Sequence, residues 1–235
     1  MIRMEWRKWE DLPKQMQCRE VRAYYDILNK RRFSMKCKRA FDVAAASVML
    51  FVLAPVFLFL AAAIKLDSPG PVFYRQKRVT QYGKYFRIYK FRTMVNNADR
   101  IGSAVTVGND SRITRVGAKI RACRLDEIGQ LLNVLKGEMS FVGTRPEVEK
   151  YVKQYTPEML ATLLLPAGIT SEASIRYKDE SRLLDAADDV DKVYVETVLP
   201  GKMKWNLESI RKFRFLRDIL TMFRTAAAVM GKEYE

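Results

Sequence analysis

An uninterrupted apolar run is the strongest pattern in the chain. Residues 43–64 read VAAASVMLFVLAPVFLFLAAAI and contain no charged side chain. As a helix this run would measure roughly 33 Å, which is enough to cross the hydrocarbon core of a bilayer. Most buried core helices are shorter, and no small-residue cleavage pattern marks the run as a signal peptide. It therefore predicts a membrane helix.

The flanks of the run and a proline within it bear on its topology. Basic residues outnumber acids on both sides, so the positive-inside rule places both ends of the run on one side of the membrane. Pro55 lies near the middle, where it removes a backbone donor and bends a helix. Together these observations favour a re-entrant helix that breaks at Pro55 and returns. A kinked spanning helix is the alternative, because spanning helices tolerate proline.

Two segments after the apolar run combine aromatic and β-branched residues with basic ones. Residues 72–79 and 85–92 have the composition of strands, and a turn containing Gly83 joins them into a predicted hairpin. Basic residues with interleaved aromatics can stack on single-stranded nucleic acid or lie at a lipid headgroup layer. The adjacent membrane run favours the headgroup layer, and we expect no nucleic-acid partner.

A second amphipathic pattern contains an acidic pair. Leucine and isoleucine recur at helical spacing over residues 125–135, and Gly137 is a helix stop signal. Asp126 and Glu127 therefore lie in the first turn of a predicted helix, where the helix dipole alone favours acids. The functional alternative is a carboxylate that attacks phosphorus while its neighbour helps to hold a divalent cation.

Arginines on both sides of the pair favour the functional alternative. Arg121 and Arg124 precede the acids within one helical turn, and Arg145 follows in a Gly-Thr-Arg-Pro loop. A guanidinium fork suits a diphosphate, and cations are required where the attacking group and the substrate are both negative. Acids and arginines that converge at a helix start exceed what the dipole explanation requires.

Four further segments carry weaker signals. Residues 95–120 are polar and contain glycine, which predicts loops and short turns. Residues 177–196 are rich in acids and are interpreted as a solvated helix face rather than a metal site. Residues 208–230 are amphipathic and basic, which suits either an in-plane helix on anionic lipid or a helix packed against the domain. Residues 1–32 fit an interfacial helix, a protein contact or a loosely ordered basic arm.

Composition restricts the chemistry that the chain can use. The formal charge is +15, from 42 Lys and Arg against 27 Asp and Glu, which indicates a polyanionic surface or substrate. There is no histidine, so acid–base work falls to carboxylates, Lys, Tyr or Cys. Cys18, Cys37 and Cys123 are odd in number and far apart, which argues against disulfides and a zinc site and for a reducing compartment.

Ordered motifs run through the chain from about residue 36. They are Lys38-Arg39-Ala40-Phe41-Asp42, Pro55, SPGPVFYRQ at 68–76, FRIYKFRTM at 86–94, Leu125-Asp126-Glu127 and Gly143-Thr144-Arg145-Pro146. In order and spacing they resemble the bacterial sugar transferase family, the monotopic polyprenyl-phosphate phosphoglycosyl transferases, over about residues 36–230. Family members often have Gly-Pro-Arg-Pro at the last motif and Pro-Gly-Ile-Thr-Gly-Trp-Ala-Gln where this chain has an additional Ala167 and no Trp. Because of these departures, the resemblance does not identify the sugar that is transferred.

The resemblance implies a function and its site. Asp126 would attack the sugar-linked phosphate of a UDP-sugar, and polyprenyl (undecaprenyl) phosphate would then accept the sugar phosphate from the enzyme. Glu127 would complete the dyad, and both acids would hold Mg²⁺. Substrate binding is assigned to Lys90, Arg121, Arg145 and Pro146. The expected place is the cytoplasmic face of a bacterial inner membrane, at the first membrane step of a glycoconjugate pathway such as exopolysaccharide biosynthesis.

Patterns and resemblance together predict a mostly α-helical α/β membrane enzyme. It would combine a re-entrant helix-break-helix, a short β-hairpin, interfacial amphipathic helices and a small cytoplasmic catalytic domain. The predicted divisions are a basic extension at 1–35, the re-entrant helix at 36–66 and the catalytic domain at 67–235. Homo-oligomerisation is left open. A non-enzymatic alternative, a membrane-anchored basic adaptor for nucleic acid or protein, explains the charge and the anchor but gives Asp126 and Glu127 no role.

Overall fold

A bent pair of apolar helices and two small sheets define the computed structural model, which describes residues 6–96, 98, 110–177 and 189–229. The strands are β1 (Phe73–Val79), β2 (Tyr85–Phe91), β3 (Met139–Val142) and β4 (Ala167–Thr170). The helices are α1 (Arg19–Asn29), α2 (Arg32–Val52), α3 (Ala54–Asp67), α4 (Arg115–Ala122), α5 (Gln130–Lys136), α6 (Glu149–Val152), α7 (Glu172–Arg176), α8 (Val190–Val193), α9 (Leu199–Arg211) and α10 (Phe215–Val229). The predicted mostly helical α/β fold is confirmed.

The apolar run forms α2 and α3, which meet at a bend of 61°. The break lies at Leu53, and Pro55 occupies the first turn of α3, where its missing N–H has no helical partner to lose. Among the described residues, only this bent pair has the length and apolar composition to enter a bilayer, and no single helix has them. Large apolar side chains on the pair face outwards, including Phe51 and Leu66 with exposed fractions of 84% and 89%.

Lys38 ties the start of α2 to the body of the protein. Its ammonium group donates to the carbonyl of Val142 at 2.7 Å and forms an ion pair with Asp218 of α10 at 2.5 Å. The two side chains are only 3% and 16% exposed. Since a buried ammonium group is unfavourable without a partner, the pair fixes α10 beside α2.

Two more charged residues of α2 reach the backbone of the segment that follows the acidic pair. Arg39 donates to the carbonyls of Val134 and Leu135 at 2.7 and 3.0 Å, and so caps the C-terminal end of α5. Asp42 accepts from the N–H of Phe141 in β3 at 3.2 Å. Helix α2 therefore holds α5 and β3 in place by charge-assisted hydrogen bonds.

The predicted hairpin is present as antiparallel β1 and β2, in a register that pairs Arg75 with Tyr89. Phe86 and Ile88 are buried against α5 and β3 in one apolar cluster. Tyr89 lies on the opposite face, with the guanidinium of Arg75 4.1 Å from its ring centroid and the ammonium of Lys136 at 4.6 Å. The hairpin thus presents cations and aromatic rings on its outer face, as its composition predicts.

A second, parallel sheet pairs β3 with β4, and the sequence patterns did not predict it. Ala167, the additional residue relative to the family pattern, is the first residue of β4 and is buried opposite Met139. The strands approach closely where they end. A Cβ on Gly168 would lie 2.1 Å from the backbone nitrogen of Gly143, which explains the glycine at this crossing.

Residues 6–31 pack against the body, so the described part of the N-terminus is not a loosely ordered arm. Its apolar side chains form one cluster with the 3-10 turn Met159–Leu164 and with α9, including Met16, Val21, Tyr24, Tyr25, Leu28, Leu163, Leu164, Leu207, Ile210 and Phe213. The segment also holds the hairpin turn, since the backbone N–H of Arg7 donates to the hydroxyl of Tyr82 at 3.2 Å.

The predicted amphipathic helix over residues 208–230 is two elements. Helix α9 ends at Arg211 and α10 begins at Phe215, so residues 210 and 213 do not continue the face of α10. Ile210 and Phe213 are buried in the N-terminal cluster. On α10 an outward apolar stripe is exposed, formed by Leu216, Leu220 and Phe223. The stripe suits the in-plane interpretation, while the opposite face of α10 packs on the body.

Two predictions of irregular or solvated structure are partly wrong. Within residues 95–120 the structure contains α4, whose Gly117 packs so closely that a Cβ would lie 2.1 Å from the carbonyl oxygen of Thr93. Residues 97 and 99–109 lie outside the described part. Of the acid-rich segment, residues 178–188 also lie outside it, and Tyr194, in the π-helix Tyr194–Val198 that follows α8, is buried and not solvated.

The buried Lys38–Asp218 pair yields a stability prediction. Burial raises the pKa of Asp218 although Lys38 lowers it, so Asp218→Asn relieves some desolvation of the carboxylate. The variant also leaves the buried ammonium group of Lys38 without its counter-ion, the larger of the two effects, and we expect a loss of about 3 kcal/mol in the free energy of unfolding. Thermal unfolding in detergent measures it. The matched control is Asp26→Asn, which breaks an exposed pair with Arg22 at 48% exposure of each side chain and should change stability by about 0.5 kcal/mol or less. Equal losses in the two variants would contradict the assigned role of the buried pair.

Candidate active site

The acidic pair lies on a short 3-10 turn, Leu125–Gly129, that leads directly into α5. The predicted helix is therefore present, but its first turn is tighter than an α-helix. Arg124, before the turn, has a φ of 53°, a left-handed conformation that is unfavourable for a residue with a Cβ. The backbone reverses there between α4 and the turn. Such strained positions are found preferentially at functional sites.

Glu127 is held by two cations from different parts of the chain. Its Oε1 accepts from the ammonium group of Lys90 at 2.8 Å and from Nη2 of Arg145 at 2.6 Å. Burial alone would raise the pKa of Glu127, but the charges and hydrogen bonds of Arg145 and Lys90 outweigh it and hold that pKa far below its ordinary value. Glu127 is therefore ionised throughout the physiological range and organises the cations around it.

Asp126 has a different environment from its neighbour. In the part of the chain that the structure describes, no other side chain hydrogen-bonds to its carboxylate. Burial raises its pKa, the charge of Lys90 lowers it, Glu127 raises it and Arg121 lowers it, with a net increase. A hydrogen bond from the backbone of Asp126 itself also lowers the pKa, by less than the other causes. A partly desolvated carboxylate without a hydrogen-bonded side-chain partner is more basic and more available for attack than one that is ion-paired.

Asn133 positions Lys90 relative to the acids. Its buried side chain accepts from the N–H of Tyr89 at 2.9 Å and donates to the carbonyl of Arg87 at 3.0 Å. Helix α5 is thereby fastened along β2 one residue before Lys90. Gly129 completes the contact, since a Cβ there would lie 3.0 Å from the carbonyl oxygen of Tyr89. Sequence reasoning missed Asn133, because nothing in its local pattern indicates a partner in β2.

The remaining predicted residues surround the acids less directly. Arg121, near the end of α4, donates from Nε to the hydroxyl of Thr93 at 2.8 Å, and its charge acts on Asp126. Arg145 extends from the loop after β3. Pro146 contributes its carbonyl, which accepts from Nη1 of Arg78 at 3.2 Å. The structure therefore brings Asp126, Glu127, Lys90, Arg121 and Arg145 into one electrostatic cluster, with Pro146 at its edge.

Arg78 and Glu147 were not singled out from the sequence. The charge of Arg145 lowers the pKa of Arg78 after the larger effect of burial, while Glu147 raises it. Glu147 is 7% exposed and accepts from the hydroxyl of Tyr194 at 2.6 Å. A second guanidinium thus lies near Arg145, hydrogen-bonded to the side chain of Gln76 and the carbonyl of Pro146, and the charge of the buried Glu147 acts on it. Clustered cations of this kind are stable only with anions nearby, which suits a diphosphate ligand.

No group of three or more carboxylate, cysteine or histidine side chains that could hold a metal occurs among the described residues. Asp126 and Glu127 supply oxygen donors alone, the donor type that Mg²⁺ prefers. Mg²⁺ is commonly bound by one or two carboxylates together with substrate phosphates, so two adjacent acids fit a metal that arrives with a nucleotide.

The raised pKa of Asp126 predicts that the active-site acid destabilises the fold. A folded-state pKa above the unfolded value disfavours the ionised native protein at every pH above both values. Asp126→Asn should therefore raise the thermal unfolding temperature at neutral pH. The gain should shrink as pH falls through the raised pKa and disappear below about 3.9, the ordinary value for Asp. The exposed control Asp11→Asn should show no such gain, and a lower unfolding temperature for Asp126→Asn would refute the assignment.

Similar proteins support what the geometry indicates. The matched region spans 43% of the length of the first of these relatives and 54% of the length of the second. A UDP-N-acetylgalactosamine-undecaprenyl-phosphate N-acetylgalactosaminephosphotransferase of Aeromonas hydrophila is 35% identical over 196 residues, 82% of this chain and 43% of the relative. The exopolysaccharide production protein PSS of Rhizobium leguminosarum bv. phaseoli is 53% identical over 109 residues, 46% of this chain and 54% of the relative. A UDP-glucose:undecaprenyl-phosphate glucose-1-phosphate transferase of Caulobacter vibrioides is 43% identical over 196 residues, 82% of this chain and 69% of the relative.

The family comparison covers most of the chain. The model of the family described as bacterial sugar transferase matches residues 33–232. The match includes the bent helix pair, both sheets and every residue of the acidic cluster, and it leaves the packed N-terminal segment outside. The chain belongs to the bacterial sugar transferase family.

Proposed function

We propose that this protein transfers a sugar 1-phosphate from a UDP-sugar to polyprenyl (undecaprenyl) phosphate. The observation that carries the proposal is that two adjacent acids have different electrostatic environments. Glu127 is neutralised by Lys90 and Arg145, whereas Asp126 has a raised pKa and no hydrogen-bonded side-chain partner among the described residues. The names of the Aeromonas and Caulobacter relatives both specify undecaprenyl phosphate as the acceptor, which supports the same reaction.

In the first step a carboxylate oxygen of Asp126 forms a bond to the sugar-linked phosphorus. The bond between that phosphorus and the oxygen bridging to the second phosphate breaks, and uridine monophosphate leaves with the electron pair. Lys90, Arg121 and Arg145 offset the negative charge that the diphosphate brings to the carboxylate. The enzyme then carries the sugar phosphate as an acyl phosphate on Asp126.

In the second step a phosphate oxygen of the polyprenyl carrier attacks the same phosphorus. The bond to Asp126 breaks, the carboxylate is regenerated, and a polyprenyl-diphosphate sugar is released. No water enters either step, so exclusion of water from the acyl phosphate protects this intermediate from hydrolysis. Glu127 acts by holding Lys90 and Arg145 in place, and we assign it no covalent role.

We propose that Mg²⁺ binds with the nucleotide sugar. Asp126 and Glu127 would hold it together with diphosphate oxygens, because two carboxylates leave most positions of an octahedral ion to other ligands. When bound, the ion would partly neutralise the negative charge of the diphosphate.

The membrane has a direct part in the proposal. The exposed apolar side chains of α2 and α3 and the stripe on α10 give two surfaces suited to lipid, and basic residues flank both ends of the bent pair. One substrate is a soluble nucleotide and the other is a lipid whose phosphate stays at the interface. An active site at the cytoplasmic surface of the bacterial inner membrane meets both requirements.

The sugar is proposed as a hexose 1-phosphate, at the first membrane step of a glycoconjugate pathway such as exopolysaccharide production. The glucose-specific Caulobacter relative is 43% identical and the N-acetylgalactosamine-specific Aeromonas relative is 35% identical over the same share of this chain. Side-by-side turnover of UDP-glucose, UDP-galactose and their N-acetylated forms tests the preference.

The nucleophile prediction concerns Asp126→Asn. Purified protein with a UDP-sugar, polyprenyl phosphate and Mg²⁺ should release uridine monophosphate, and the variant should be slower by at least about a thousandfold, since an amide does not form the acyl phosphate. Without the carrier, donor labelled in its sugar phosphate should label the wild type and not the variant. The control Asp26→Asn should match the wild type in both assays. Undiminished release by Asp126→Asn, or labelling of it, would eliminate the mechanism.

A second prediction concerns pH. The charge of Lys90 lowers the pKa of Asp126, so Lys90→Met should raise that pKa further. Asp126 attacks as the carboxylate, and the acidic limb of kcat/KM should therefore move to higher pH, whatever the loss in maximum rate. Lys90→Arg keeps the charge and should leave the limb nearly unmoved. A limb that stays in place in Lys90→Met would show that a different group controls it.

A further inference from the structure

A cavity of about 310 Å³ lies behind the loop that carries Arg145. Gly143 and Thr144 form one wall, and the rest comes from the start of α2, from α7, from the second half of α9 and from α10. None of Asp126, Glu127, Lys90 and Arg121 lines it. The cavity is therefore distinct from the acidic cluster, although the same loop borders both.

The acids that line this cavity are all neutralised. Asp218 pairs with Lys38, and Glu208 pairs with Lys212 at 2.5 Å. Glu172 accepts from the hydroxyl of Thr221 at 2.8 Å and lies 3.4 Å from Arg224. The lining of the cavity has a net positive charge, because it contains five cationic side chains and these three acids.

Two arginines supply the excess charge. Arg176 stacks over the ring of Trp205, with its guanidinium carbon 3.8 Å from the centroid, and Arg217 extends from α10. A stacked guanidinium keeps the N–H groups in its plane directed outwards, where they suit the oxygens of a phosphate. The cavity acids Glu208 and Glu172 pair with Lys212 and Arg224 rather than with these two arginines, although Arg217 is close enough for its charge to act on Glu208. The cavity thus has two guanidinium groups available for an anion.

The cavity also meets the lipid-facing side of the protein. Leu220 lines it and belongs to the exposed apolar stripe of α10, between Leu216 and Phe223. A ligand with its anionic end between Arg176 and Arg217 would have its apolar end beside that stripe. The apolar stripe would not contribute to the binding of a soluble anion, whereas a lipid would contact both the arginines and the stripe.

We propose that this cavity binds the phosphate headgroup of an anionic phospholipid of the surrounding bilayer. The site requires that the protein lie at a membrane surface, and it does not depend on the sugar-transfer chemistry. A bound headgroup would hold α7, α9 and α10 together behind the Arg145 loop. The protein would then be anchored in anionic membranes by a specific contact as well as by its general positive charge.

The test measures binding of short-chain phosphatidylglycerol to the full chain in detergent, by calorimetry. The double variant Arg176→Gln/Arg217→Gln should bind roughly thirtyfold more weakly, on the basis of about 1 kcal/mol for each cation at an anionic lipid surface. The charge-matched control is Arg22→Gln/Arg214→Gln, whose exposed arginines do not line the cavity and which should stay within about twofold of the wild type. Ser209→Trp, which fills the cavity without a charge change, should also weaken binding.

Several results would overturn the proposal. One is an unchanged affinity in the cavity variant, and another is an equal loss in the charge-matched control. Competition by inorganic phosphate at the same concentration as the lipid would show that the apolar part is irrelevant. Displacement of phosphatidylglycerol by stoichiometric polyprenyl phosphate would assign the cavity to the carrier. Because binding is measured without a UDP-sugar, failure here leaves the proposed transferase reaction intact, and failure of that reaction leaves this binding unaffected.

Discussion

The structure depends on buried charged side chains of α2 that are bonded to the backbone of the catalytic segment. Arg39 caps α5, Asp42 accepts from β3, and Lys38 reaches both the end of β3 and α10. Without these bonds α2 would be free to slide or tilt against the globular part. Because α5 continues directly from the turn with the two acids, the bonds fix the position of the acidic pair relative to α2.

The same electrostatic logic separates the roles of the two acids. Neighbours in sequence, they differ because the fold brings Lys90 from β2 and Arg145 from the loop after β3 to one oxygen of Glu127 alone. Glu127 thus holds two cations that suit a diphosphate. Asp126 is partly desolvated, and no other side chain among the described residues hydrogen-bonds to it. The raised pKa of Asp126 means that its ionised carboxylate lowers folding stability, a common feature of groups at functional sites.

Local features were predictable from the sequence, and features made by distant contacts were not. Pro55, the hairpin and the acidic pair each have a strong pattern within a few residues. The β3–β4 sheet has strands of four residues, too short for a reliable period, and its pairing joins segments far apart in the chain. Helix α4 lies in a stretch whose glycines suggest loops. Asn133, Arg78 and Glu147 matter through partners that only the fold supplies.

The packed N-terminal segment lies outside the region that defines the family, yet it shares one apolar cluster with α9 and steadies the hairpin turn through Arg7 and Tyr82. Trimming the protein to the family boundary would uncover the side chains of Leu163, Leu164 and Phe213. A fragment expressed from about residue 33 would thus expose an apolar surface that promotes aggregation. Poor yield or aggregation of this fragment would therefore give no information about its active site.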